Sequence, residues 1–181
     1  MAEKTVTRTV VVDLGRCLAC RSCETACAKA HAGFDDIVEA LMSGARLVPR
    51  VQVIAASGRA VPVQCQHCED APCIEVCPSG ALYREGDEGP VLTAPDKCIG
   101  CKSCVVVCPF GAVSWSRGDG TVIKCDLCND LIEVGEDPHC VTACPTGARR
   151  VVSLEELTRT KQREAAERTV RTIEVERASS E

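Results

Sequence analysis

Cysteine is the residue that most constrains this chain, because all sixteen cysteines fall into four sets of four. Every set begins with a two-residue gap and ends with a three-residue gap, whereas the middle gap varies from two residues to eleven. The sets are Cys17, Cys20, Cys23 and Cys27; Cys65, Cys68, Cys73 and Cys77; Cys98, Cys101, Cys104 and Cys108; and Cys125, Cys128, Cys140 and Cys144. Since no cysteine lies outside a set, a device repeated four times organises the fold.

Three of the sets end in the same corner, Cys-Pro-x-Gly-Ala, which starts at Cys77, Cys108 and Cys144. The proline ends the preceding helix and the glycine permits a tight turn, so each corner redirects the chain. The first set departs from this pattern because Ala28 follows Cys27. Without a proline we expect the helix to continue there, into an insertion over residues 31–60.

Clustered cysteines can form disulfide bridges or bind a metal. The N-terminal stretch MAEKTVTRTVVVDLGRC is charged and lacks an apolar signal segment, and no apolar run approaches the roughly 18 residues of a membrane span. We therefore expect a cytoplasmic protein, in which thiols stay reduced and clustered cysteines bind metal. Taken by itself, the fourth set also fits a zinc site, because its eleven-residue gap separates two cysteine pairs as zinc sites do.

The spacing C-x2-C-x2-C-x3-C-P of the third set is the one by which bacterial ferredoxins bind a 4Fe–4S cluster. Cys104 and Cys108 lie one helical turn apart, about 6 Å along the axis, so the fourth thiolate can reach a neighbouring cluster. Aromatic residues are only 2% of the chain. The sequence therefore predicts four 4Fe–4S clusters that take the place of a side-chain core.

The remaining residues argue against catalysis and against nucleic acid. The formal net charge is −5, so the chain lacks the excess of basic residues that binds nucleic acid. No nucleophile–base pair, phosphate loop or open metal position is left once the cysteines are committed. We expect His31, His67 and His139 to serve as hydrogen-bonding or surface residues, since sixteen cysteines already satisfy four clusters. Trp115 is expected to cover a cluster as apolar bulk.

Secondary-structure patterns place short elements around the cysteines. Residues 5–13 alternate and predict a strand, and two hairpins are predicted around the turn-rich stretches EGDEG and RGDG. The hairpin strands lie at 82–84 with 90–92, and at 113–116 with 121–124. Short helices are expected to begin in or after each cysteine loop. The pattern predicts an α+β fold, followed by a polar helical tail with Ser153 and Glu156 as a capping box.

The stretches CLACRSCETACAKAH, QCQHCEDAPCIEVCPSGAL, CIGCKSCVVVCPFGAV and KCDLC with PHCVTACPTGA carry a family resemblance over roughly residues 5–150. The chain resembles the four-cluster iron–sulfur subunits of the dimethyl sulfoxide reductase class. It is most similar to the soluble subunits of carbon monoxide dehydrogenase, formate hydrogenlyase and formate dehydrogenase complexes. The resemblance implies two pseudo-symmetric ferredoxin-like modules: an outer one, 1–63 with 118–152, and an inner one, 64–117, before the tail at 153–181.

The resemblance also implies that neighbouring sets exchange their fourth cysteines. One cluster would take Cys17, Cys20, Cys23 and Cys144, and a second Cys125, Cys128, Cys140 and Cys27. A third would take Cys65, Cys68, Cys73 and Cys108, and a fourth Cys98, Cys101, Cys104 and Cys77. The spacing supports exchange in general, but this pairing comes from the resemblance.

These observations predict an electron-transfer subunit rather than an enzyme. The resemblance implies that it relays single electrons, in an anaerobic oxidoreductase complex, between a catalytic subunit and a second carrier. The catalytic partner would be a carbon monoxide dehydrogenase, a hydrogenase, or a molybdenum or tungsten enzyme acting on formate or an aldehyde. Some relatives cross the membrane beside a partner that holds the signal. A maturation protein that holds metal without redox traffic, and a radical S-adenosylmethionine enzyme, are the rival hypotheses.

Overall fold

The computed structural model describes residues 8–87 and 89–179, with side chains to residue 175. It is an α+β structure of short elements joined by the cysteine loops. The strands are β1 (Arg8–Val12), β2 (Gln52–Ala56), β3 (Arg59–Val63), β4 (Leu82–Arg84), β5 (Val91–Thr93), β6 (Val113–Ser116), β7 (Thr121–Lys124) and β8 (Arg149–Ser153). The α-helices are α1 (Ser22–His31), α2 (Ile37–Met42), α3 (Pro72–Glu75), α4 (Ser103–Val107), α5 (Asn129–Glu133), α6 (His139–Thr142) and α7 (Leu154–Ser179), with a 3₁₀ turn at Pro95–Lys97.

Both predicted hairpins are present. Strand β4 pairs antiparallel with β5, in a register that sets Leu82 opposite Thr93. Strand β6 pairs antiparallel with β7, in a register that sets Val113 opposite Lys124. Each hairpin begins one residue after a Cys-Pro-x-Gly-Ala corner, so the corner fixes where the strand starts.

A third hairpin, formed by β2 and β3 at the end of the insertion, is absent from the sequence prediction. Its register sets Gln52 opposite Val63 and Ala56 opposite Arg59. The turn is Ser57-Gly58, where both residues have a left-handed backbone, with φ of 48° and 75°. Positive φ at both central residues matches the twist of antiparallel strands, which makes two-residue loops of this type favourable.

Strand β1 pairs with β8 in a two-stranded sheet. The predicted strand covers residues 5–13; residues 8–12 of it form β1, and residues 5–7 lie outside the described residues. The ladder continues beyond the strands, because the Asp13 amide donates to the Ala148 carbonyl at 2.8 Å.

Helices begin within or after the cysteine loops, as predicted. Helix α1 starts two residues after Cys20 and contains Cys23 and Cys27, whereas α4 starts two residues after Cys101 and contains Cys104 only. Helix α1 continues one turn past Cys27 to His31, as the missing proline predicts.

Cysteines form much of the buried interior. One cluster of buried side chains consists of Cys23, Cys27, Cys140, Val51 and Val53. A second consists of Cys104 with Leu82, Val113 and Val122, and Trp115 packs against it. Neither is large enough to resemble the core of an ordinary domain, which agrees with the expectation that groups other than side chains organise this fold.

The described residues form two compact units, one running from Val10 to Val151 and one containing the chain from Val152 onward. In the second unit, α7 carries exposed ion pairs, such as that of Glu155 with Arg159 at 2.6 Å. None of the helices in the described ranges combines the length and apolar character needed to cross a membrane.

Replacing Ser153 with alanine is expected to loosen the first turn of α7. The Ser153 hydroxyl accepts a hydrogen bond from the Glu156 amide at 3.1 Å, which is the predicted cap. Losing such a cap costs about 1 kcal/mol, so the Glu156 amide should exchange its hydrogen roughly fivefold faster. Amide exchange measured by NMR tests this, with Thr158→Ala as a control that leaves the cap intact. An unchanged rate at Glu156 would refute the cap.

Candidate metal centre

All sixteen cysteines lie in the described residues and all are free. Their exposure differs by position within the sets. Cys20 and Cys101, the second cysteines of the first and third sets, are exposed. Those of greatest burial are Cys23, Cys27, Cys65, Cys104, Cys128 and Cys140. The candidate sites therefore include both buried and surface-accessible thiols.

The same backbone geometry recurs in all four C-x2-C loops. The residue before the second cysteine is left-handed in each, with φ of 58° at Ala19, 49° at His67, 69° at Gly100 and 67° at Leu127. Such a conformation turns successive backbone N–H groups towards one side and forms a concave binding site for anions. Three of these residues are not glycine, so the backbone accepts strain in order to keep this shape.

Backbone N–H groups donate to several of the cysteine sulfurs. The amide of His67 lies 3.4 Å from Cys65 Sγ, and the amide of Leu127 lies 3.3 Å from Cys125 Sγ. In a third such bond, the Ala112 amide donates at 3.4 Å to Sγ of Cys108, which begins the same Cys-Pro-x-Gly-Ala corner. Hydrogen bonds of this kind favour the thiolate form, which is the form that binds metal.

The first and fourth sets meet where α1 packs on α6. Hydrogen bonds from Ser22 lower the pKa of Cys20, while the nearby thiol of Cys144 acts to raise it. Burial raises the pKa of Cys23, and Cys140 contributes in the same direction. The structure thus brings cysteines from opposite ends of the sequence together.

A small, largely closed cavity lies at this junction, with a volume of about 10 Å³. Four thiols line it: Cys27 of the first set and Cys125, Cys128 and Cys140 of the fourth, together with apolar side chains such as Val51. Burial raises the pKa of Cys128 to about 12, and the nearby thiols add to this effect. These four thiols supply a complete set of four ligands for a metal centre.

The second and third sets meet where α3 packs on α4. Burial raises the pKa of Cys73, and the adjacent thiols of Cys65 and Cys108 raise it further. Hydrogen bonds from Ser103 lower the pKa of Cys101, whereas the neighbouring Cys77 acts to raise it. Here too, the fourth cysteine of each set lies beside members of the other set.

Three cysteines are assigned less directly. Cys98 packs at the edge of the buried cluster that contains Cys104 and Leu82. Cys17 and Cys68 are associated with their sites only by their positions in C-x2-C loops. The candidate sites of the second and third sets also adjoin each other. Burial raises the pKa of Cys104, and the nearby thiolates of Cys101 and then Cys73 raise it further.

The insertion is tied to the fourth set through Arg50. Its amide donates to Cys27 Sγ at 3.3 Å, and its guanidinium forms an ion pair with Asp126. Burial acts to raise the pKa of Asp126, but Arg50 and then His31 lower it overall. The segment that leads into β2 is therefore held against the loop between Cys125 and Cys128.

Lys124 is a buried cation that the sequence analysis missed. Its side chain is 4% exposed, and its ammonium donates to the Val91 carbonyl and, at 2.7 Å, to the Cys125 carbonyl. It also acts to lower the pKa of Cys73, although burial raises that pKa overall. This charge therefore lies between a cysteine of the second set and one of the fourth.

His67 is a half-buried residue within the second set, between Cys65 and Cys68. Its Nδ1 accepts a hydrogen bond from the Val91 amide at 3.0 Å, so the neutral ring carries its hydrogen on Nε2. That Nε2 is buried and has no partner among the described residues. Burial, and then Lys124, lowers the pKa of His67 to about 3.

The donor set fits iron–sulfur clusters. Grouped and buried thiols are unstable as thiolates unless a cation lies between them, and burial already raises the pKa of Cys104 to about 11. A zinc ion would meet that need, but it has no sulfide to use the concave N–H loops or the unpartnered Nε2 of His67. Inorganic sulfide accepts such hydrogen bonds.

The sequence matches the family of 4Fe-4S dicluster domains over residues 57–154, which contain the second, third and fourth cysteine sets. The chain belongs to this family. An iron–sulfur protein of Rhodospirillum rubrum is 46% identical over 151 residues, covering 77% of this chain and 78% of the relative. The electron transport protein HydN of Escherichia coli (strain K12) is 38% identical over 177 residues, covering 88% of this chain and 97% of HydN.

A third relative of this dicluster family is named for its complex. The thiosulfate reductase electron transfer subunit PhsB of Salmonella typhi is 36% identical over 151 residues, covering 80% of this chain and 74% of PhsB. These relatives confirm the predicted class of function, that of an iron–sulfur protein in electron transport.

Proposed function

We propose that this protein holds four 4Fe–4S clusters and relays single electrons between a catalytic oxidoreductase subunit and a second redox carrier. The observation that carries the proposal is the division of sixteen free cysteines into four equal sets. Each such cluster is held by four cysteine thiolates, so the thiols account for four clusters with none left over. When bound, each cluster supplies one-electron chemistry.

The ligand sets follow the exchange implied by the family resemblance. Cys17, Cys20, Cys23 and Cys144 hold the first cluster, and Cys27, Cys125, Cys128 and Cys140 the second. Cys65, Cys68, Cys73 and Cys108 hold the third, and Cys77, Cys98, Cys101 and Cys104 the fourth. Support comes from the closed cavity lined by the whole second group, and from the fourth cysteine of each other set lying near its proposed partners.

These sets divide the protein into two ferredoxin-like modules. Residues 1–63 with 118–152 form the outer module, and residues 64–117 form the inner one, before the tail at 153–181. The packing of α1 on α6 and of α3 on α4 supports this division, since each contact joins the two sets of one module. Lys124, at the end of β7, lies where the two modules join.

Exposed thiols mark where electrons enter and leave. Cys20 of the first cluster is exposed beside Leu18, which is itself 69% exposed. Cys101 of the fourth cluster is exposed beside Ile99, which is 68% exposed. At such a surface a partner's redox centre can come close to the cluster, and apolar contacts exclude water from the interface.

The catalytic partner is a carbon monoxide dehydrogenase, a hydrogenase, or a molybdenum or tungsten enzyme acting on formate or an aldehyde. The naming of PhsB as a subunit of thiosulfate reductase supports a separate catalytic subunit. We place the complex in the cytoplasm, where free thiols persist. Purification of the chain from its native host, followed by identification of the large subunit that accompanies it, tests this part of the proposal.

Iron and sulfide analysis tests the four clusters. Protein purified without oxygen is expected to contain about sixteen irons and about sixteen acid-labile sulfides per chain, and dithionite should reduce it. Fewer than about twelve irons, or zinc in their place, would contradict the proposed count. Clusters that dithionite leaves oxidised would favour the maturation protein instead.

A further inference from the structure

Arg149 is a buried arginine that lies directly after the last cysteine corner. It begins strand β8 and is 2% exposed, whereas the next residue, Arg150, is exposed. Successive residues of a strand point to opposite faces. These two neighbouring arginines are therefore the same residue type in different environments. Burial of a guanidinium is uncommon unless it is paired.

The Arg149 guanidinium contacts a cysteine of one outer site and lies close enough to a cysteine of the other to influence its pKa. Its Nη2 donates to Cys140 Sγ at 3.4 Å and to the side-chain oxygen of Gln64, a residue that is 4% exposed and lines the closed cavity. Burial raises the pKa of Cys23, and Arg149 is the strongest influence acting to lower it. Cys23 and Cys140 are assigned above to different clusters.

The remaining donors of Arg149 have no partner. Its Nε and Nη1 are buried and donate to no hydrogen-bond acceptor in the described residues, and no carboxylate there forms an ion pair with it. A guanidinium does not lose its proton in proteins, so this buried charge is unfavourable unless an anion lies beside it. The proposed thiolate-bound clusters on either side would supply such an anion.

We propose that Arg149 is a positioning residue that holds the Cys140 thiolate and stabilises the reduced state of the two outer clusters. This inference rests on the proposed function. Reduction adds one electron from an external donor, here dithionite, so the site becomes more negative by one unit while no bond forms or breaks. A fixed positive charge beside the site favours the more negative state and raises its reduction potential.

The test compares three variants of the full chain, purified without oxygen: Arg149→Gln, Arg149→Lys and Arg150→Gln. Glutamine removes the charge but keeps a polar side chain, and lysine keeps the charge. The last variant removes an exposed charge from the same strand. Iron content is measured first, and EPR-monitored redox titration with dithionite then gives the potential of each cluster.

We expect Arg149→Gln to keep its iron and to show two cluster signals that are harder to reduce. At a fixed potential their reduced-to-oxidised ratio should fall about tenfold, which corresponds to about 59 mV for a one-electron couple. Arg149→Lys and Arg150→Gln should titrate like the wild type. Unshifted potentials in Arg149→Gln at full iron content, or an equal shift in Arg150→Gln, would overturn the proposal.

If Arg149→Gln loses iron, the lysine variant decides. Full iron with wild-type potentials in Arg149→Lys supports the role of the charge, and loss of iron in both variants overturns it in favour of a purely structural role. The wild-type titration separates the two proposals. A wild type without reducible clusters contradicts the electron-transfer function, whereas a normal wild type with an unshifted Arg149→Gln contradicts only the role of Arg149.

Discussion

Replacing Cys77 with serine is expected to damage the same cluster as replacing Cys101, although the two cysteines belong to different sets. Cys77 ends the second set, yet it lies beside Cys101 and Cys104 of the third. A cluster that loses one of four thiolates becomes unstable or loses iron. The two variants should therefore lose the same EPR signal, with up to about four irons per chain missing.

Cys68→Ser is the matched control, because Cys68 is in the same set as Cys77. It should remove a different signal, one that Cys108→Ser also removes. Comparing the EPR spectra of the four reduced variants sorts them into two pairs, Cys77 with Cys101 and Cys68 with Cys108. If Cys77→Ser instead gave the spectrum of Cys68→Ser, each set would hold its own cluster and the proposed exchange would be wrong.

The sequence predicted those secondary-structure elements whose position depends on nearby residues. The β4–β5 and β6–β7 hairpins form where turn residues separate short apolar strands, and α1 runs past Cys27 where the proline is missing. The β2–β3 hairpin was missed although Ser57-Gly58 is a recognisable two-residue turn. The sequence prediction for the insertion contained only a continued helix, so these strands were not predicted.

The charged residues around the sites were missed for a different reason. Arg149 and Lys124 are buried, but each lies in a short strand where a charged residue is as often exposed, as Arg150 is. Spacing identifies thiols because the ligand type is nearly unique to cysteine, whereas burial of a lone cation depends on tertiary contacts. Only the fold shows that these two charges face cysteines.

Gly100 is the residue whose replacement by alanine should most destabilise the third cysteine loop. A Cβ there would lie 2.6 Å from Cη2 of Trp115 and 3.0 Å from the Gly120 carbonyl oxygen. The left-handed backbone alone does not demand glycine, since Ala19 and Leu127 occupy the equivalent place in other sets with similar φ. Glycine is required here because the indole ring of Trp115 lies against the loop and leaves no room for a Cβ.

Gly111→Ala isolates the backbone contribution. Gly111 has φ of +59°, close to the +69° of Gly100, but a Cβ there meets nothing within 4 Å. We expect Gly111→Ala to cost about 1–2 kcal/mol, the usual penalty of a left-handed residue with a side chain. Gly100→Ala should cost a further roughly 1–3 kcal/mol, because the added methyl group overpacks the contact with Trp115.

The guanidinium chloride midpoint, followed without oxygen by the loss of visible absorbance, ranks the variants by stability. Gly100→Ala should have the lowest midpoint of the two glycine variants. In a Trp115→Leu background most of the added methyl's steric cost should disappear, so that Gly100→Ala costs about as much there as Gly111→Ala does in the wild type. This non-additivity is the decisive result, because strain in the backbone would be the same with either side chain at position 115. Equal midpoints for Gly100→Ala and Gly111→Ala in the wild type would show that the ring yields to the methyl group and that Trp115 does not fix the loop.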